Sequence, residues 1–195
     1  MDGFDQIASL YLEIEGFAVS RRVIFPVETV VYKAMRTERQ TEVFEIDLVA
    51  ARADKIRLCS VKSFLTSQEI GRQGFKGIAD EGLRKTHFDE YKLFNDPNIR
   101  RQVTELACQK YGYQTDQVEL VLFAGKVKAG QEAMIRQHLE SLAPHGLVTV
   151  LTAKEILPKV LEHCEQNISL NNPIVTMTKL LHQEGLLKSE PEERV

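Results

Sequence analysis

No stretch of this 195-residue chain approaches the roughly 20 consecutive apolar residues that span a bilayer, so a membrane-spanning helix is not expected. Cysteine is scarce. Cys59, Cys108 and Cys164 are far apart, odd in number, and lack both CxxC spacing and a histidine at ligand spacing, so each is expected as an inert buried thiol. The chain opens on polar and acidic residues rather than on a charged and then apolar leader; with the cysteine usage, this gives the expectation of a reduced, cytoplasmic protein with no membrane contact. Positive charge is not in excess either: 25 Lys and Arg against 28 Asp and Glu leave a net charge of -3. Any contact with nucleic acid must therefore come from a local basic surface. His87, His138, His145, His163 and His182 show no HxxxH or HExxH spacing, and no Gly-rich phosphate loop occurs. Zinc hydrolase, nucleotide-loop and Ser-His triad chemistry thus find no support.

What is present is ordinary in bulk. An apolar fraction of 43% and a charged fraction of 27%, without repeats or low-complexity stretches, mark a folded globular chain. The length suits one domain with a sizeable core, or a core with an appended helical segment.

Periodicity organises the chain. Phe4, Ile7, Ala8, Leu10, Tyr11 and Ile14 recur at three and four, which predicts a first helix stopped by Gly16. Residues 17–25 read as a strand broken at Pro26, residues 29–35 as a second β-rich stretch, and residues 37–40 as a polar turn. Residues 43–50 alternate, with Phe44, Ile46, Leu48 and Ala50 assigned to one face and Glu45 and Asp47 to the other; a turn at Ala53, Asp54 and Lys55 leads into a strand over 56–63. Residues 66–111 are polar and mostly helix-forming, with breaks at Gly71, Gly74, Gly77, Asp96 and Pro97. An apolar run over 118–124, an amphipathic helix over 131–142 and a second run over 147–151 predict a β-α-β unit with parallel, buried strands. Helices are expected over 153–164 and 173–187.

The informative part is the hairpin. By the period of two, Ser60 and Lys62 share a face of one strand, and Asp47 on the neighbouring strand can meet Lys62 at one end of the pair. Three stretches, Tyr11-Leu12-Glu13-Ile14-Glu15-Gly16-Phe17, Glu45-Ile46-Asp47-Leu48-Val49-Ala50 and Ser60-Val61-Lys62-Ser63, resemble the PD-(D/E)xK, or restriction-endonuclease-like, nuclease superfamily. Within it, the likeness is nearest to the Holliday-junction-resolvase-like small nucleases and covers about the first third of the chain.

The resemblance implies an α/β fold with a mixed central sheet flanked by helices, and a divalent-metal-dependent nuclease acting on DNA phosphodiesters. It also implies Mg²⁺ or Mn²⁺ as cofactor and, by analogy with junction-type relatives, a homodimer. Asp47 would ligate the metal, an acid two residues before the lysine would be a second ligand, and Lys62 would orient or activate the attacking water. Such roles make chemical sense: a hard cation held by carboxylates and phosphate oxygens acidifies bound water and neutralises transition-state charge, and lysine adds a point charge.

Two positions depart from the pattern. Ser60 stands where the second acid is expected, and Gln6 aligns with a helix position that is often Glu; neither supplies negative charge. Glu45 on the same strand, and Glu13 on the first helix, are the candidate substitutes. Gln68, Arg72, Gln73 and Lys76 are candidates for nucleic-acid contact. Competing with these readings, Asp47 and Lys62 form a structural ion pair, the glutamines are plain surface, and the basic residues of 72–110 belong to a solvated helix interleaved with Asp80, Glu81, Asp89 and Glu90. A catalytically silent nuclease fold that binds nucleic acid or a protein stays open beside the hydrolase. The expected organisation is a core over 1–165, a C-terminal helical extension over 166–187 and a disordered tail over 188–195.

Overall fold

The computed structural model describes residues 3–33, 36–64, 68–80, 85–142, 147–166 and 172–187. Five strands, β1 (Ala18–Lys33), β2 (Arg36–Arg52), β3 (Lys55–Lys62), β4 (Val118–Ala124) and β5 (Val148–Thr152), lie side by side in chain order. The β1/β2 and β2/β3 pairs are antiparallel, and β3/β4 and β4/β5 are parallel, so the molecule is α/β with a mixed sheet. Among the described residues, six α-helices flank it: α1 (Gly3–Ile14), α2 (Lys92–Asn95), α3 (Pro97–Tyr111), α4 (Glu132–Ser141), α5 (Ala153–Gln166) and α6 (Pro173–Gln183). None is long and apolar enough to cross a membrane.

The parallel half follows directly from its sequence. A strand covered on both faces needs no alternation, and every residue of β4 is buried. On one face, Ile56, Leu58, Leu120 and Leu122 meet Val103 of α3 and Leu139 of α4. On the other, Cys59, Val61, Val121 and Phe123 meet Leu12 of α1 and Ile156 of α5. Val175 of α6 joins this second cluster, so the C-terminal helix is packed on the core; residues 188–195, expected as a disordered tail, lie outside the described residues. The break read at Asp96 and Pro97 is the start of α3, where the Asp96 side chain accepts hydrogen bonds from the amides of Asn98 and Ile99 and proline takes the first turn.

The hairpin departs from the expectation in three ways. Pro26 does not break the strand but sits inside β1, opposite Val43. β1 is an edge strand, where proline is tolerated if its missing N–H would face away from the ladder. The Glu28 N–H, two residues on, does point off the ladder: it donates to Gln102 Oε1 of α3 at 2.7 Å, and Gln102 Nε2 donates back to the Glu28 carbonyl at 2.8 Å. Residues 37–40 are not a turn but part of β2, paired with residues 29–32 of β1. This ribbon runs beyond the sheet, so polar residues on both of its faces do not interrupt the backbone ladder.

The third departure matters most for the site. The row Phe44, Ile46, Leu48 and Ala50 does not stay on one face: Phe44 and Ile46 join the α3/α4 cluster, whereas Leu48 and Ala50 join the α1/α5 cluster. β1 makes the same change, with Phe17 and Val19 on one side and Val23, Phe25 and Val27 on the other. The switch falls at Asp47 and Arg22, where the pairing skips one step and Arg22 has φ +52°, a value uncommon for a non-glycine residue.

Candidate active site at a strand fork

β2 pairs with β3 only from Leu48 to Arg52, against Cys59 to Lys55. Beyond that point β2 leaves the sheet with β1, while β3 continues along β4 as far as Lys62. The separation would orphan the Val61 N–H, and Asp47 closes the gap: its Oδ2 accepts from that amide at 2.6 Å. Asp47 thus stands at the fork, half-buried, bonded to the strand that its own strand is leaving.

A cavity of about 210 Å³ opens at this fork. Glu45, Asp47, Ser60 and Lys62 all line it, so the sequence candidates from two strands are brought together, and Asp47 and Lys62 do not lie on opposite sides of the sheet. Ser60 and Lys62 follow Ile56 and Leu58 on the α3/α4 face by the period of two. Asp47 follows Val49 onto that same face by the same period.

The other wall is residues 89–93, and it brings Asp89 and Glu90. In the sequence these acids read as charges on a solvated helix. In the structure they end a 3₁₀ stretch, Lys85–Tyr91, that leads into α2. The available signal was the apolar company they keep, since Tyr91, Leu93 and Phe94 are buried. Lys62 Nζ lies 5.7 Å from the centre of the Tyr91 ring, a cation–π approach that steadies the ammonium from this wall. Burial pushes the Tyr91 hydroxyl far above its ordinary range, so it stays a neutral phenol.

The remaining candidates are elsewhere. Glu13 is exposed on α1, accepts a hydrogen bond from Ser9 Oγ at 3.1 Å, and does not line the cavity. Gln6 sits on the same helix, also away from the cavity lining. Gln68, Arg72 and Gln73 line a second, adjoining cavity that shares Glu90 and Tyr91 with the first; Lys76 is exposed and lines neither. The basic residues of 72–110 do not merge into one face: Arg72 pairs with Asp80 at 2.7 Å, Arg101 with Glu105 at 2.9 Å, and Arg100 donates to the Phe94 carbonyl. Cys59 and Cys164 are buried free thiols and Cys108 a half-buried one; burial drives the Cys59 thiol well above its ordinary value, in keeping with an inert role.

The donor set suits a hard cation, because the charged groups lining the cavity are the carboxylates of Glu45, Asp47, Asp89 and Glu90 and the ammoniums of Lys62 and Lys92; the Cys59 thiol also borders it but is fully buried, and no imidazole does. Among the described residues, no three His, Cys, Asp or Glu side chains gather closely enough to hold a metal ion by themselves. That is compatible with Mg²⁺, which takes one or two carboxylates and completes its shell with water and phosphate oxygens. It is not a closed protein cage.

No family model matches the chain, and no curated protein matches it either. Among solved structures, one described as a protein of unknown function, AF1548, aligns over 93% of this chain and 77% of its own, at 15% identity and a TM-score of 0.44. The case for a function therefore stands on the geometry of the fork.

Proposed function

We propose that the chain is a divalent-metal-dependent phosphodiester hydrolase of the restriction-endonuclease-like type, acting on DNA, or the direct descendant of one. One observation carries the reading: adjacent strands deliver a carboxylate, Asp47, and an ammonium, Lys62, into a single cavity at the point where those strands part. An accidental Asp and Lys in a sheet would more often form a surface pair.

Asp47 and Glu45 would hold the cation, which when bound supplies Lewis-acid charge for the scissile phosphate. Lys62 places a positive charge beside that phosphate and orients the water that attacks it. The Val61 N–H fixes the Asp47 carboxylate through Oδ2. Tyr91 limits the room available to the Lys62 side chain and excludes water from one side of it.

The test is cleavage of plasmid and branched DNA under titration with Mg²⁺ and Mn²⁺. Metal-dependent cleavage is expected, abolished by Asp47→Ala and by Lys62→Ala, each with its melting temperature measured alongside. Cleavage that survives both substitutions would sink the proposal.

A second reading has its own support. Ser60 occupies the place of the second acid, and among the described residues three metal-holding groups do not gather. On this reading the fold persists as a nucleic-acid-binding module without catalysis. Its mark is salt-dependent retention of DNA with no cleavage at any metal concentration.

A further inference from the structure

Beside the fork lies a larger cavity, of about 320 Å³, whose lining includes Phe64, Gln68, Gln73, Tyr91, Lys128 and Gln131. Three of its charges, Arg72, Asp80 and Glu69, are held in ion pairs. Asp80 is taken by Arg72 and Gln73, and Glu69 by Lys126 at 2.9 Å. What faces the space is then chiefly amide, aromatic and glycine surface. Among the described residues, Gln131 uses only its Oε1, which accepts from the Arg72 amide at 2.9 Å, and neither Gln131 Nε2 nor Lys128 Nζ has a hydrogen-bond partner.

Gly71 borders the space. Its φ of -119° and ψ of 160° are ordinary extended values, so no backbone demand calls for glycine here. A Cβ at this position would instead point into the lining, 3.4 Å from Gln131 Oε1 and 3.9 Å from Lys128 Cδ. Gly74, unlike Gly71, is required for room: a Cβ there would stand 2.6 Å from the ring of Tyr91, the residue that walls both cavities.

We propose that this second cavity receives an unpaired nucleobase of the strand whose phosphate occupies the fork, making the substrate class a single-stranded or branched nucleic acid. The inference rests on the hydrolase or nucleic-acid-binding reading of the fork. A base offers flat apolar faces and an edge of donors and acceptors, which match Phe64 and Tyr91 on the one hand and the glutamine amides on the other. A free phosphate matches less well, because Asp80, Glu69 and Glu90 border the space. The shared wall of Glu90 and Tyr91 keeps the two cavities adjacent, as consecutive groups of one nucleotide chain require.

The experiment reads binding, with the full chain in EDTA so that cleavage does not enter. Fluorescence anisotropy compares a labelled single strand of DNA, the same strand built from abasic residues, and a blunt duplex. The intact strand is expected to bind roughly tenfold more tightly than the abasic one, the effect of about one stacked base. Gly71→Val fills the cavity from an extended backbone position and is expected to erase that preference with the melting temperature unchanged. Should that variant fold poorly, Gln68→Ala combined with Lys128→Ala removes two side chains at the exposed rim and is expected to reduce the preference at least threefold. Val43→Ser, at an exposed position that lines neither cavity, is expected to leave it intact. Equal binding of intact and abasic strands, or a preference that survives cavity filling, overturns the base site alone. Absence of any nucleic-acid binding overturns the base site together with the reading of the fork.

Discussion

The two halves of β2 obey different rules. From Leu48 to Ala51 the strand is laddered on both sides, and Leu48, Val49 and Ala50 are buried. From Arg36 to Ile46 it is laddered only to β1, and Val43 is 72% exposed. The doubly paired half has its conformation fixed by neighbours on either edge and by apolar contacts on either face. The singly paired half leaves one edge of N–H and C=O groups without a ladder, and at the fork its Asp47 carboxylate accepts from the Val61 N–H of β3, the strand it is leaving. A fork in a sheet therefore makes a place where side-chain polar groups are needed structurally, and where those same groups are free to do chemistry. On the proposed function, stability is concentrated in one half and chemistry in the other.

The largest expected effect tests the stability side of that contrast. Leu48→Ala in the doubly paired half should lower the stability to urea by about 2–5 kcal/mol, because the side chain is fully buried in the cluster that α1 and α5 cover. Val43→Ser on the singly paired half should change it by less than about 0.5 kcal/mol. Comparable losses from both would mean that the ribbon is part of the core.

Next comes the joint between the halves. Asp47→Ala leaves the Val61 amide without its partner and should cost about 1–3 kcal/mol, whereas Asp47→Asn keeps an oxygen acceptor and should recover most of that. If Asp47 is both joint and ligand, the Asn variant separates the roles: urea denaturation should report near-normal stability while metal-dependent cleavage is lost. An Asn variant that cleaves at the normal rate would leave Asp47 with a structural role only.

The contrast also explains what was legible in the sequence. The β4-α4-β5 unit is readable nearly to the residue: the apolar run at 118–124 is the strand Val118–Ala124, and 131–142 contains α4, Glu132–Ser141. Burial on both faces writes itself into sequence as continuous apolar runs and one-sided helices. The ribbon was less legible, because a proline on an edge and polar residues on two solvated faces look like breaks to any argument from periodicity. For the site, the period of two was enough to bring Ser60 and Lys62 together and to place Asp47 and Glu45 beside them. It could not reveal the face switch at Asp47, which depends on Arg22 across the ladder, nor Asp89 and Glu90, which arrive through an irregular connection with no period to follow. Glu13 is missing from the cavity because α1 spends its apolar stripe on the opposite cluster.

A smaller effect concerns the outer edge of the ribbon. Gln102 gives the Glu28 N–H and C=O the two bonds that another strand would otherwise give, and Asn98 Nδ2 adds a third at 3.2 Å. With Pro26 on the same edge, this closes the middle of β1 to strand addition. Gln102→Ala should cost about 1 kcal/mol and expose the edge, and sedimentation at rising concentration should then show self-association that the parent chain lacks. A variant that sediments like the parent at every concentration would show that proline alone suffices. A parent chain that already pairs through this edge would contradict the closed state.

The smallest effect reaches the loop between the cavities and α4. His138 sits under that loop, its ring 3.1 Å from where a Gly77 Cβ would lie and 6.4 Å from the ring of Phe75. Burial lowers its pKa from the ordinary 6.5, partly offset by a hydrogen bond with the Lys76 backbone. A base whose folded pKa is depressed binds more protons when unfolded, so stability rises with pH across this range. The contribution is complete above about 6.5 and declines as the pH falls through that value toward the lower folded one. Because the imidazole is only partly enclosed, the decline should be shallow, and His138→Gln should flatten it. Melting temperatures between pH 5 and 8 give the measurement. An unchanged slope in the variant would move the pH response away from α4, and with it the idea that the loop walling the second cavity is held by packing rather than by a backbone ladder.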